Sequence, residues 1–262
     1  MSHQFGINYG ELIVDLFAGG GGASTAIEMA TGRSPDIAIN HAGEALAAHC
    51  ANHPDTAHYQ EDVFGRCPTL VTGGRPVGLL WLSPTCSHFS KAKGAALFDK
   101  KIRALCWVGV RWALKAKPRV IALENVEEFQ DYGPLDLNGK PIPEKKGSLF
   151  RHFVRRLKKA GYQVEWKILH AHHYGAPTSR KRLFMVARCD GLPIVWPEPT
   201  HGPRELFTAQ GFSPDYIIDP IHNGKPLTKS AQVRLVGNSV SPPVAAALVR
   251  ANYIDQANER VA

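Results

Sequence analysis

The sequence predicts an α/β fold, a mostly parallel sheet wrapped by helices. Three observations predict it. Short apolar runs alternate along the chain with stretches of helical spacing, the first run ends in a glycine-rich turn that opens a helix, and no repeat of fixed period competes with this reading.

The first strand is ELIVDLF (11–17), followed by the glycine run and a helical stretch, ASTAIEMA. DIAIN (36–40) reads as a second strand, then a helical pattern runs through Ala51. VGLLWL (77–82) is a third apolar run. KKIRALCWVGVRWALKAK (100–117) has helical spacing and stops at Pro118, because proline lacks the N–H a helix interior needs. RVIALEN (119–125) is strand-like and leads into a polar loop, 130–148, rich in Gly, Pro and Lys. LFRHFVRRLKKAG (149–161) is an amphipathic helix with glycine just past its end, a common stop. QVEWKIL (163–169) and RLFMVA (182–187) read as further strands. Between 190 and 230 prolines crowd in and periodicity fades, and the chain recovers at VRLVGNSVSPPVAAALVRANYI with a helix near Pro243. The expected organisation is a main domain over 1–189, a small region over 190–230 and a returning segment over 231–262.

At 262 residues, with 44% hydrophobic and 21% charged residues, the composition is that of a soluble globular protein. No apolar run is long enough to cross a bilayer, and the N-terminus lacks the plan of a signal peptide, so no membrane partner and a cytoplasmic, reducing location are expected. Five cysteines (50, 67, 86, 106, 189) without a C-x-x-C pair point away from a disulfide framework or zinc knuckle. The histidines of LHAHH (His170, His172, His173) lack cysteine or carboxylate partners nearby, and no metal is expected. The net charge of +8 favours a polyanionic partner. Its cations cluster in Lys91–Arg103, Arg111–Arg119, Lys145–Lys159 and Arg180–Arg188.

Two stretches carry chemistry. DLFAGGGGAS (15–24) is a strand-to-helix turn of the kind that brings backbone N–H groups close to a ligand, without the lysine of a phosphate loop. SPTCSHFS (83–90) sets Cys86 at the mouth of the third apolar run, where it can be a nucleophile, a ligand or a small buried residue.

Taken in order, DLFAGGGG, SPTCSHFS, ALENV, YGAPTSRKRLFMVA, QGF and VGNSVSPPVA resemble the cytosine-C5 DNA methyltransferase family of phage and bacterial restriction-modification type, from about residue 11 to 253. The resemblance implies a Rossmann-like S-adenosylmethionine-dependent methyltransferase sheet and DNA as partner. It implies that Cys86 attacks C6 of cytosine, that Glu124 supports N3 and the exocyclic amine, and that Arg182 holds O2 with Arg180 nearby. It assigns Phe17, Ala18, Gly20, Gly22, Asn40, His41, Asp62, Asn238, Ser239 and Val240 to the cofactor pocket. Chemistry asks for such a set independently: C5 is a poor nucleophile until a thiolate adds at C6 and makes it enamine-like.

Four departures from the family pattern stand out. The cysteine's neighbours are Thr85 and Ser87 rather than proline and glutamine, Thr178 replaces a glutamine, and Asn40-His41 replace an acidic and an aromatic residue. Fourth, only Asp190 to Pro203 separate the R-x-R strand from the Arg204-Glu205 and Gln210-Gly211-Phe212 block, where the family carries a recognition domain. That leaves double-stranded DNA with little sequence specificity, a single-stranded or RNA substrate, a partner chain supplying recognition, or a catalytically impaired relative that binds nucleic acid.

Overall fold

A computed structural model describes residues 10–85, 104–174, 176, 178, 180–199, 202–240 and 242–249. In chain order the elements are β1 (Leu12–Leu16), α1 (Gly22–Thr31), β2 (Ile37–Asn40), α2 (Gly43–Asn52), β3 (Ala57–Gln60), α3 (Pro68–Val71) and β4 (Val77–Leu82). Then follow α4 (Val108–Lys115), β5 (Val120–Asn125), α5 (Ser148–Lys159), β6 (Gln163–His170) and β7 (Lys181–Arg188). The last elements are α6 (Pro203–Gln210), β8 (Ile221–His222), β9 (Lys225–Pro226), α7 (Lys229–Asn238) and α8 (Pro242–Val249).

Seven strands form one sheet in the order β3-β2-β1-β4-β5-β7-β6. The β1–β2, β1–β4, β2–β3 and β4–β5 pairs are parallel, as expected, and β7 runs antiparallel to β5. This is the Rossmann-like methyltransferase sheet. The winding reverses between β1 and β4, and in such sheets the crevice beyond the carboxyl ends of the strands at that reversal receives ligands. The antiparallel β7 adds its N-terminal end to the same edge.

β1 is buried at all five positions, as a central strand covered on both faces must be. β3 (AHYQ) has no apolar run and is exposed to half-buried, an edge strand defined by pairing rather than by its own hydrophobicity. The helix expected over 100–117 is a 3-10 turn, Leu105–Trp107, running into α4, with 100–103 outside the described residues. α5 turns Phe150, Phe153, Val154 and Leu157 into the core and ends in Arg156, Lys158 and Lys159, cations that favour the negative end of a helix. The polar loop after β5 folds on itself through a Leu135–Pro141 bridge, with Asp136 accepting from the Asn138 and Lys140 amides at 2.9 and 2.8 Å. At the opposite edge of the sheet from the strand ends, Arg119 pairs with Glu11 at 2.7 Å and Asp190 at 3.4 Å. Arg188 meets Asp190 at 2.6 Å and holds that carboxyl down at about 2.

The chain divides into two compact units. The first comprises 1–168 and 182–195 and contains the main core, from Leu16 and Leu80 to Trp112 and Phe153. The second comprises 169–181 and 196–262 and has its own small cluster of Leu206, Phe207, Ile218, Val233 and Val236. The stretch 190–230, irregular in sequence, thus contains α6 and the β8–β9 hairpin. Inside this unit Gly211, at φ +96, leaves room for Pro243, which a Cβ there would meet at 2.5 Å. Gln210 donates to the Ser239 carbonyl at 3.2 Å, and Arg204 donates to the carbonyls of Pro214, at 3.0 Å, and Tyr216. The RE and QGF blocks, Ser239 and Pro243 are therefore one packed corner. GNS ends α7, with Ser239 as its C-cap, rather than capping the start of the helix that follows. Among the described residues, no helix is long and apolar enough to cross a membrane.

Candidate active site

A cavity of about 610 Å³ opens in the first unit at the carboxyl edge of the sheet. Phe17 leaves β1 in a left-handed conformation, φ +64, which costs a bulky residue about 1–3 kcal/mol. Its amide and that of Ala18 both donate to the Ile39 carbonyl, at 3.0 and 3.3 Å, so the strain is held by β2. The result turns the Phe17 ring to the cavity wall. Asn40, the last residue of β2, is buried and lines the cavity beside the exposed His41. Asp62 follows β3; its Oδ1 accepts from the Phe64 amide at 2.8 Å, and both residues line the cavity. Arg66 braces this loop, pairing with Glu61 at 2.6 Å and lying over the Tyr59 ring at 4.6 Å.

Of the glycine run, Gly19 lines the cavity, while Gly20 is exposed in the turn and Gly22 begins α1. Gly21 is the position that geometry demands, at φ +99 with the His53 ring 3.1 Å from where a Cβ would stand. Beneath it lies a polar chain: Ser24 donates to Asp15 at 2.7 Å, His49 Nε2 meets Ser24 at 2.9 Å, and His49 Nδ1 meets His58 at 2.8 Å. Asp15 and His49 are both fully buried. Burial pushes the Asp15 carboxyl up to about 7 against the Ser24 hydrogen bond, and burial, then His53 and His58, push His49 down to about 4.

Glu124 and Arg182 come together. Glu124 lies near the end of β5 and faces Phe184 across the antiparallel pair, so Arg182 is its diagonal neighbour on the same face. Arg182 Nε stands 3.2 Å from Glu124 Oε1, and each side chain is 22% exposed. Leu82 pairs with Leu123, which sets Glu124 beside Ser83 where the chain leaves β4 toward Cys86. Cys86 and the basic stretch 91–101 lie outside the described residues; Thr85, immediately before the cysteine, lines the cavity. Asn125 is buried, donates from Nδ2 to the Pro84 carbonyl at 2.9 Å and accepts from the Val126 amide at 2.9 Å.

Arg180, Asn238, Ser239 and Val240 belong to the second unit. Arg180 is exposed, its amide bonded to Thr178 Oγ1 at 3.2 Å and its carbonyl to the Ala171 amide at 2.9 Å. Asn238 lines a separate cavity of that unit, and Val240 is exposed. No sequence signal marks Ser83, Val63, Phe64 or Leu105 as cavity residues; they arrive there through the strand order. Asn125 sits inside the ALENV block, yet its bond to Pro84 depends on the β4–β5 pairing.

Residues 12–202 match the family model of C-5 cytosine-specific DNA methylase. The chain belongs to that family. Among C-5 cytosine methylases and their kin, Type II methyltransferase M.SacI of Streptomyces achromogenes is 30% identical over 210 residues, 72% of this chain and 50% of the relative. Type II methyltransferase M.XorII of Xanthomonas oryzae pv. oryzae is 29% identical over 238 residues, 84% of this chain and 53% of the relative. The chain spans about half the length of these relatives. A prophage-encoded E. coli protein described as a DNA modification methyltransferase shares the fold with a TM-score of 0.58 at 24% identity, over 79% of this chain and 56% of that one. S. pombe Dnmt2 shares it with a TM-score of 0.52 at 15% identity, over 92% and 97%.

Proposed function

We propose that this member of the C-5 cytosine methylase family transfers a methyl group from S-adenosylmethionine to C5 of a flipped cytosine in DNA, with Cys86 as nucleophile. The Glu124–Arg182 pair, beside Ser83 at the end of β4, is the observation that supports it most. A carboxyl group and a guanidinium fixed 3.2 Å apart on one strand face offer a flat ring complementary partners for N3, the exocyclic amine and O2.

The cavity suits the cofactor. Its volume of about 610 Å³ and its apolar walls from Phe17, Val63, Phe64 and Leu105 accommodate a purine, and Asn40, His41 and Asp62 provide polar partners for ribose and adenine. The family motif also assigns Asn238, Ser239 and Val240, and the backbone around Ala18, Gly20 and Gly22, to the cofactor. Bound there, S-adenosylmethionine would supply an electrophilic methyl group on its sulfonium. Cys86 as thiolate adds to C6, the electron pair moves toward C5 and N3, and Glu124 and Arg182 stabilise the ring as that charge develops. A thiol near its usual pKa of about 8.5 is mostly protonated at neutral pH, so nearby cations favour the attacking form. C5 so activated would take the methyl group as its bond to the sulfonium sulfur breaks, leaving S-adenosylhomocysteine. Loss of the C5 proton to water, with elimination of the thiolate from C6, restores the aromatic ring.

Residues 190–230 serve in this reading as a residual recognition region. Only residues 190–203 separate the R-x-R strand from the RE block, so duplex opening, which costs a few kcal/mol, has few contacts to offset it. That short interval favours, as a second reading, a single-stranded or RNA cytosine substrate that needs no extraction from a duplex.

One experiment separates these. Purified protein is incubated with tritiated S-adenosylmethionine and, separately, duplex DNA, single-stranded DNA and tRNA, beside Cys86→Ala. Label entering duplex DNA and absent in the mutant is the expected result. Label confined to single strands or tRNA moves the substrate, and label retained by Cys86→Ala overturns the mechanism.

A further inference from the structure

The second unit contains a cavity of about 470 Å³ whose histidines and cations the reaction above does not use. It is lined by His170 at the end of β6, His172 and His173 in the 3-10 turn that follows, Lys181 at the start of β7, and Arg234 and Asn238 on α7. The three imidazoles are crowded, with centroids 5.3 Å apart for His170–His172, 5.4 Å for His170–His173 and 4.4 Å for His172–His173. No carboxylate is among the described residues lining the cavity. Nδ1 of His172 is buried and has no hydrogen-bond partner among the described residues, an arrangement that normally calls for one.

We propose that this cavity binds a phosphate group of the nucleic-acid backbone, held by Lys181, Arg234 and the His170–His172–His173 cluster. This rests on the reading of the chain as an enzyme of nucleic acid. The chemistry is that of an oxyanion site. Two permanent cations offer charge-assisted hydrogen bonds, and imidazoles donate N–H groups. A metal ion is the competing occupant of clustered histidines. Among the described residues no group of His, Cys, Asp and Glu has metal-holding geometry, and the flanking Lys181 and Arg234 repel a cation. A bridging nucleic-acid phosphate is favoured over free phosphate because Lys181 directly precedes Arg182, which is assigned to the base, and lies in the basic Arg180–Arg188 run of a chain with net charge +8.

The site predicts its own pH dependence. Burial, then the neighbouring His173 and His170, hold His172 below the usual histidine range, so its ring is largely neutral before binding. A phosphate entering among His170, His172, His173, Lys181 and Arg234 favours protonation of that ring. Proton uptake on binding makes affinity rise as pH falls from about 7.5 to about 6.

The test uses the full chain and a fluorescein-labelled DNA duplex, with binding read by anisotropy between roughly 50 and 200 mM salt. Arg234→Gln and Lys181→Gln should each weaken binding several-fold and reduce the salt slope by about one, as expected for one lost phosphate contact. The double variant His172→Gln/His173→Gln should flatten the pH dependence. S-adenosylmethionine affinity and melting temperature should stay unchanged in every variant, which separates the site from misfolding. Unchanged affinity and salt slope in both cation variants overturn the proposal. So does a histidine NMR response to inorganic phosphate with DNA binding unaltered, which assigns the cavity to a small free anion, or stoichiometric zinc binding lost in the double variant. A chain whose DNA binding depends on Arg234 but which transfers no methyl group supports this site and refutes the proposed reaction. Full methyl transfer with variant-independent binding does the reverse.

Discussion

The side-chain amide of Asn125 donates to the carbonyl of Pro84 across the β4–β5 pair at 2.9 Å. Asn125 is 1% exposed, so the bond is dry and its loss leaves a buried carbonyl without that donor. Pro84 is two residues before Cys86, the proposed nucleophile, so this contact fixes the chain just ahead of it. Asn125→Ala should destabilise the protein by about 1–3 kcal/mol and, by letting the loop shift, lower the single-turnover methyl-transfer rate by roughly a hundredfold. S-adenosylmethionine affinity, measured calorimetrically, should change little. A rate equal to wild type would remove Asn125 from the positioning of Cys86.

Glu124 and Arg182 should behave as a unit. Glu124→Gln and Arg182→Lys each disturb one end of the 3.2 Å pair, and each is expected to reduce the chemical step by about 10²–10⁴. The double variant should fall little further than the worse single one, because residues acting together are not additive. Independent, multiplying losses in single-turnover rates would show that the two groups serve separate ends.

Asn40 offers a gain of function. It is a neutral amide where related sequences carry an acid, and charged acceptors bind a diol more strongly than neutral ones. Asn40→Asp should tighten S-adenosylmethionine binding several-fold at pH about 8. Calorimetry reads it directly, and an unaltered Kd would place the ribose elsewhere than beside Asn40.

The chain beneath the glycine turn sets a pH signature in stability. Asp15, raised to about 7, holds a proton in the folded state that the unfolded chain has released. Its contribution is therefore complete below about 4 and is lost as pH rises toward about 7. His49, lowered to about 4, acts in the opposite sense: the unfolded chain takes up a proton below 6.5 while the folded one refuses it, so stability is lost as pH falls toward about 4. Between these limits the two slopes offset one another. Asp15→Asn removes the first, so its melting temperature should fall more steeply on acidification from pH 6.5 to about 4 than that of wild type. Parallel melting profiles for the two proteins would show that Asp15 is not buried neutral.

Much of the frame was legible in the sequence because it depends on local pattern. LIVDL and VGLLWL are continuous apolar runs, and only strands covered on both faces tolerate them; both were read to within a residue of their observed bounds. α5 announces itself by its apolar face and Gly161. β3 was missed as a run because an edge strand with AHYQ has little to bury, and α6 and α7 were missed because they cover only a small cluster.

The candidate site divides in the same way. Local pattern names the residues, Cys86, Glu124, Arg182 and the glycine turn, and their order along the chain carries the family. Which of the described ones meet depends on how the strands and helices pack. The antiparallel entry of β7 beside β5 brings Arg182 to Glu124 although they lie 58 positions apart in the chain, and the β4–β5 register brings Asn125 to Pro84. Strand order likewise puts Ser83, Phe64 and Leu105 around one cavity and gathers His172, Lys181 and Arg234 around another. The physical reason is range. Propensity and periodicity act over a few residues, whereas these contacts are set by hydrogen-bond register between strands and by packing of helices distant in sequence.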